Sequence, residues 1–546
     1  MAPFLIGNMA CASLFWVSCL ASDLPHSVVN SLLTLKEELI GEKSPEALIE
    51  PQQDTISPDG KHVAWREKRG TEWLFTVDGT ARGRGYDEVR FANFSPDSKH
   101  LAYWARRGKI WTVVIDQEEE GAYSNSGSTV VFNSDSAHHA YWVSGEKWKK
   151  HFIVSDSVRG PRYDDIDLPH FSPKTQRLIY SATRGKASMI VDNGQETPRK
   201  LRSRVYGFTP GEEKLILLEE EPGRGTKRRY VFGAEVGPWF DAFSPVVFGA
   251  TDDHFAYAGA RIRWGELLNW TITQGDNQAS GQVIVDGLVG SMYKGEELAV
   301  TSGQSSWAPP RWGNVIESGI QHFSAPRYGV SAPVISPDGH HIAYTARVAN
   351  KHYAVMLDGQ EIDSFEYTAC DPAFSPSGDL YYAGFRANNF VVTSNGKILS
   401  QLPVPDKKEY GQYGCDVDFQ PPTHLITRLI WRAERDATGN RKDSIGWRGR
   451  VFVDGSFGPE QAMGGEFDIQ FSGDQFHTVF KVDEEVAKTN RSYVVLDGRE
   501  GKPYDQILGR FPHSVHFTGE GEVTFIARSG TKFIRVTQAR SVDEPR

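Results

Sequence analysis

Apolar and polar residues alternate along most of this chain in short runs that share one grammar. An apolar stretch ends in phenylalanine and enters a turn of the Ser-Pro-Asp-Gly kind. A second stretch follows, such as Leu101-Ala102-Tyr103-Trp104-Ala105 or Ile342-Ala343-Tyr344-Thr345-Ala346. A short charged turn then leads to a third, such as Trp111-Thr112-Val113-Val114-Ile115 or Tyr493-Val494-Val495-Leu496. Runs this short, rich in β-branched and aromatic residues and bounded by Gly, Pro and Asp, predict strands. Many third runs end in Asp-Gly, as at Asp78-Gly79, Asp286-Gly287, Asp358-Gly359, Asp454-Gly455 and Asp497-Gly498. That pair predicts a tight hairpin, because glycine accepts a positive φ. A more polar fourth strand begins near a Tyr-Asp pair: Tyr86-Asp87, Tyr163-Asp164 or Tyr504-Asp505.

The pattern repeats at a nearly fixed stride. Ser57-Pro58-Asp59-Gly60-Lys61-His62-Val63-Ala64-Trp65 returns as Ser95-Pro96-Asp97-Ser98-Lys99-His100-Leu101-Ala102-Tyr103, and again from Ser336 to Tyr344. Four antiparallel strands in roughly 40 residues is the content of one propeller blade. The residue before each turn marks the phase: Ile56, Phe94, Phe132, Phe171, Phe208, Phe248, Ile335, Phe374, Phe419, Phe471 and Phe517, with one further unit near residue 295. The expected fold is all-β: tandem β-propellers of about twelve four-stranded blades. Closed propellers usually hold about 4 to 8 blades, so two rings of about six are expected. Residues 51–295 would form the first, 296–540 the second and 541–546 a tail. Each blade exposes two apolar faces and an edge, so the sheets must cover one another by closing. The last unit holds only three strands, and a strand from elsewhere, with 48–56 as the candidate, is expected to complete it.

The phrase from Phe94 to Tyr103 resembles the WD-like β-propeller repeat of the TolB family. The resemblance spans about residues 51–540, is strongest in the units near 57, 95, 336 and 375, and is weak between 209 and 330. It implies a non-catalytic propeller, periplasmic or secreted, that binds other proteins. TolB pairs its propeller with an α/β amino-terminal domain, for which residues 23–50 are too short, so the Tol-Pal role does not carry over. The repeat also occurs in propeller domains of some serine peptidases, and it marks fold better than function.

Composition narrows the classes of function. With 546 residues, 12% aromatic and 24% charged, the chain can build extensive cores. A net charge of −10 lacks the basic footprint that general nucleic-acid binding needs. Residues 1–22 are uncharged and mostly apolar, and read as a signal peptide although they lack the usual basic start. The expected location is periplasmic or extracellular, with a lipid-anchored or membrane-tethered form as the alternative and no transmembrane span in the mature chain. Between residues 23 and 50, Val28, Leu32, Leu35, Leu39 and Ile40 recur at three- and four-residue steps, which predicts an amphipathic helix bracing the β body.

Candidate chemistry is sparse. No Gly-x-Ser-x-Gly elbow of a peptidase is present. Seven histidines, His62, His100, His139, His254, His341, His424 and His477, fall at one register before the second strand. One per blade, they are expected to stand too far apart to share a metal, and read as polar rim residues. No cofactor is expected. Asp371, Asp416 and Asp468 each lie three residues before a marker phenylalanine in consecutive units. Matched positions at the starts of innermost strands converge on a channel mouth, where three carboxylates suit a cation or an amine. The alternative is that each caps a turn of its own blade. Cys370 and Cys415, at matched positions in adjacent units, are a candidate disulfide; two buried thiols are the alternative. The function expected is a non-catalytic platform for protein or ligand binding, with Trp307 to Trp312 among its candidate contacts. The rival is a propeller lyase or hydrolase with an acidic site at that mouth.

Overall fold

In the computed structural model the described residues are 33–540 except 45–53, 146–148, 212–213, 223–226, 250–253, 264–266, 269–270, 273–277, 295–328, 367–368, 404–409, 421–423, 434–446, 454–455, 458–460, 464–469, 473–476, 487–488, 510–513 and 520. Among them, eleven sheets of four or more strands follow one another, together with a two-stranded hairpin at Leu267–Leu268 and Thr271–Ile272. In chain order the sheets span 55–86, 88–123, 131–163, 165–199, 203–236, 242–294, 334–365, 373–403, 410–463, 470–500 and 506–540. They are called sheets 1 to 11 below. Within each, the strands pair antiparallel in a ladder that follows chain order, and in four sheets an edge position is filled by two short strands on the same neighbour.

The hairpins have the conformation their residues predict. Asp78 and Gly79, Asp286 and Gly287, Asp358 and Gly359, and Asp497 and Gly498 all have φ between +48° and +79°. Two positive φ values in succession give the turn whose twist matches flanking strands. Gln117 and Ser157 adopt the same conformation without glycine, at φ +82° and +66°.

Each sheet buries its faces against its neighbours. Phe75 of sheet 1 shares a core with Tyr103 of sheet 2, and Trp104 of sheet 2 with Tyr141 of sheet 3. The sequence continues through Ile153 and Tyr180, Ile190 and Leu217, and Phe232 and Phe255. Sheet 6 then packs on sheet 7 through Ala258 and Tyr344, sheet 7 on sheet 8 through Tyr353 and Tyr382, and sheet 8 on sheet 9 through Phe385 and Leu429. Val453 of sheet 9 packs against the core shared by sheets 10 and 11. Finally Ile526 and Phe533 of sheet 11 meet Val63 and Trp65 of sheet 1. The expected boundary at 295/296 lies outside the described residues. Two rings would seat sheet 6 on sheet 1 and sheet 11 on sheet 7. The cores described run 6 to 7 and 11 to 1, a single circuit.

The strand that completes sheet 11 is Leu33–Glu42, paired along its length with Lys532–Arg540. The helix expected over 23–50 is therefore corrected for this stretch, and the closing strand lies upstream of the 48–56 candidate. Its far end is pinned. The Lys43 amide donates to the Thr531 carbonyl at 2.8 Å. Lys43 Nζ meets Asp54 at 2.6 Å with both side chains buried. Burial raises the Asp54 pKa, against the opposing pull of Lys43.

Candidate functional site

Antiparallel sheets arranged in a circuit gather their loops on two faces. Hairpins joining first to second and third to fourth strands emerge on one, the turn face. Hairpins joining second to third strands, and the links between sheets, emerge on the other, the tip face.

The turn face is a network of fixed hydrogen bonds. In sheet 1 the Ser57 hydroxyl donates to Asp59 Oδ1 at 2.5 Å and accepts the His62 amide at 2.9 Å, and Asp59 Oδ1 accepts the Lys61 amide. The same arrangement recurs at Ser95–Asp97 and Ser336–Asp338. The Ser95 hydroxyl is the main reason that Asp97 is held down to about 2. This explains the Ser-Pro-Asp phrase without catalysis: serine and aspartate satisfy the amides of a turn that the strands leave unpaired.

The histidines belong to this face, and those whose side chains are described are already engaged. Nδ1 of His62, His138, His254, His341 and His477 lies 2.6, 2.8, 3.0, 2.7 and 2.8 Å from Oδ2 of Asp78, Asp156, Asp286, Asp358 and Asp497. His100 pairs with Asp116 in the same way. Each aspartate is the first residue of its positive-φ turn, and its other oxygen accepts the amide opening the second strand, as at Val63 and Ile342. His138, one residue earlier than expected, holds this register in sheet 3, while His139 Nε2 reaches Glu120 at 2.8 Å. The His424 side chain and Asp454 lie outside the described residues.

Two sheets carry asparagine at the aspartate position, and neither has the histidine. Asn193 and Asn395 still accept the amides of Leu178 and Leu380. In sheet 8 the histidine is replaced by Asp379, and Asn395 Nδ2 donates to it at 2.8 Å. A donor facing a carboxylate and a carboxylate facing a donor are interchangeable solutions. The signal lay in the sequence, as histidine and Asp-Gly occurring together one hairpin apart.

On the tip face the Tyr-Asp pairs link one sheet to the next. The carboxylates of Asp87, Asp164 and Asp505 accept the amides of Gly108, Gly185 and Gly530, each at a hairpin tip of the following sheet. The hydroxyls of Tyr86, Tyr163 and Tyr504 donate to Glu119, Glu196 and Glu37 on the following fourth strand, at 2.8, 2.7 and 2.5 Å. Burial, then the bond to Glu119, pushes Tyr86 up to about 12. Glu37 lies on the closing strand, so Leu33–Glu42 offers Tyr504 the contact that other sheets supply from their own chain. Hydrogen bonds from Lys502, then Tyr504, hold the Glu37 carboxyl below its ordinary range.

The acidic residues singled out by sequence are only partly placed. Half-buried Asp371 precedes Ala373–Phe374. Asp416 stands in the strand Tyr410–Gln420, opposite Arg428 in register. Asp468 and the stretch from Trp307 to Trp312 lie outside the described residues. The residues just before the first two are joined: Cys370 and Cys415 form a disulfide with a Cα–Cα distance of 5.3 Å. It crosses from sheet 8 to sheet 9 within their shared core.

Sheets of four antiparallel strands, packed in sequence around a closed circuit, define a β-propeller. No protein-family model and no curated protein matches the chain, so the TolB-like character stays with the repeat phrase. Among solved structures the chain is similar to one described as the eukaryotic initiation factor, at 10% identity over 76% of this chain and 88% of that one, with TM-score 0.35. It is similar to the Dos1 propeller at 10% identity over 71% and 88%, with TM-score 0.27. It is also similar to the β-propeller domain of the Trilobed protease from Pyrococcus furiosus, at 12% identity over 68% and 98%, with TM-score 0.20. Likenesses this distant carry no argument about function.

Among the described residues, no helix is long and apolar enough to cross a membrane.

Proposed function

We propose that the protein is a non-catalytic β-propeller platform, exported from the cytoplasm, that binds a basic protein segment or an amine at the channel mouth of sheets 8 to 10. One observation carries the reading. The Cys370–Cys415 bond joins the residues immediately before Asp371 and Asp416, which supports reading these aspartates as neighbours on adjacent sheets. Asp468 occupies the matching place in the next unit by sequence register. Paired carboxylates at a mouth focus negative potential and favour a lysine, arginine or amine. The disulfide itself supports export, since such bonds persist in oxidising compartments.

Replacing all three residues (D371N, D416N and D468N) tests this. Calorimetric titration with a lysine-rich peptide should detect binding to the parent and at least a tenfold loss in the triple variant, with unchanged thermal unfolding. Equal binding by both proteins would show that the mouth is not the site.

A further inference from the structure

The tip face carries exposed cations on consecutive sheets, most of them without an ion pair among the described residues. Going round the circuit from sheet 11 to sheet 4, the hairpin tips present Lys532, Arg69, Lys109, Lys149 and Lys186, all exposed. Lys109, Lys149, Lys186 and Lys532 make no ion pair among the described residues. Most of the described carboxylates that reach this sector are already engaged. Asp87, Asp164 and Asp505 cap tip glycines. Glu88 is held by Arg90 and Arg106, Asp165 by Arg202 and Asp167 by Arg204. Glu42 accepts the Thr531 hydroxyl. Among the described residues, Glu72 is the exposed acid left at these tips, beside Arg69; Glu146, in the tip of sheet 3, lies outside the described residues. A protein with net charge −10 thus turns a row of uncompensated cations to one side.

The chemistry of the row points to one kind of partner. Binding hot spots for proteins are enriched in exposed aromatics and arginine, and lysine is depleted from interface cores. Here the described tryptophans behind the tips are covered at least in part: Trp73 is half-buried beneath Arg66 and Lys68, and Trp111 is 8% exposed beneath Arg90 and Arg106. What projects is lysine, a flexible and strongly hydrated point charge, with the exposed Ile110 beside Lys109. Tips at the same register on neighbouring sheets face one way. A broad anionic surface can meet them together, whereas a single acidic side chain reaches one. We propose that the tip face of sheets 11 to 4 docks on an anionic lipid bilayer. Sheets 8 to 10 occupy a different sector of the circuit, so the acidic mouth is not part of this contact, and the inference does not depend on it.

The test is co-sedimentation of the full chain with phosphatidylcholine vesicles, with and without phosphatidylglycerol. Binding should require phosphatidylglycerol and fall as salt rises, because exposed charges are screened. Each basic residue near such a surface is worth about 1 kcal/mol. The variant K109Q/K149Q/K186Q/K532Q should therefore bind roughly a thousandfold more weakly. The pair K61Q/K99Q, on the turn face, should bind as the parent does. Circular dichroism of all three proteins should be the same. Binding without phosphatidylglycerol, undiminished binding by the quadruple variant, or capture by polyglutamate beads but not by vesicles would each overturn the proposal. The last outcome would assign the row to an acidic protein.

Discussion

His341 Nδ1 lies 2.7 Å from Asp358 Oδ2, and the bond spans a hairpin whose two ends are each fixed by that aspartate. The carboxylate raises the imidazole pKa above 6.5, chiefly by accepting its hydrogen bond. A raised folded-state value means that the ion pair stabilises the protein fully below the unfolded-state pKa, and that this contribution is lost as pH rises through the raised one. The substitution H341Q should therefore lower the unfolding temperature more in acid, below pH 6.5, than in mildly alkaline buffer. Thermal melts of parent and variant across that range check it, and an equal effect at both ends would refute the coupling.

The exchange of donor and acceptor between sheets makes a swap experiment possible. N395D places two carboxylates at 2.8 Å, where Asn395 now donates to Asp379. It should destabilise by about 1 kcal/mol, the usual worth of such a hydrogen bond. Adding D379H rebuilds the histidine–aspartate pair of the other sheets and should recover most of the loss. A double-mutant cycle in urea measures the coupling.

At the fourth turn position, glycine and serine are not equivalent. The Asp59 amide donates to Ser98 Oγ at 3.0 Å and the Asp97 amide to Ser136 Oγ at 3.1 Å, so serine ties each turn to the preceding sheet. S98G should cost less than about 1 kcal/mol, because losing the bond is partly offset by relieving a φ of +65°. G60S should cost more. A Cβ at Gly60 would sit 2.0 Å from His516 Nε2, at the seam between sheets 11 and 1. Unfolding midpoints of the two variants should rank in that order.

The seam itself is testable. Removing Leu33–Glu42 leaves the edge of Lys532–Arg540 bare and takes Glu37 from Tyr504. The truncated chain should aggregate through that edge, and a peptide of residues 33–44 added in trans should suppress aggregation. Separately, K43A strands Asp54 in a buried site and should cost roughly 3–5 kcal/mol. Light scattering and denaturant titration report the two outcomes.

The disulfide closes a loop across sheets 8 and 9, with a separation of 45 residues between its cysteines. The variant C370S/C415S should lose about 2–4 kcal/mol, and the parent in reductant should match it. Denaturant midpoints with and without dithiothreitol check this.

Strands, turns and the repeating unit were legible in the residues because their causes are local. The unbroken apolar run Leu101–Ala105 marks a strand buried on both faces, and Asp-Gly sets the hairpin after Val77 whatever the neighbouring sheet does. The circuit was not legible. Two rings were expected from the usual limit on blade number, and no residue pattern states which sheet the sixth will meet. Leu33–Glu42 read as a helix for a related reason. It is an outermost strand, exposed at most positions and bulged between Leu39 and Gly41, so the two-residue period is broken and the leucines fall at helical spacing. The acidic mouth was legible only as register, since a matched position says which way a chain enters a sheet but not what lies across from it. Short-range order in this protein is written by backbone preference and side-chain period. The partner of the last sheet, the bond between Cys370 and Cys415 and the reach of each tyrosine to the next sheet depend on contacts distant in sequence, and folding alone brings those together.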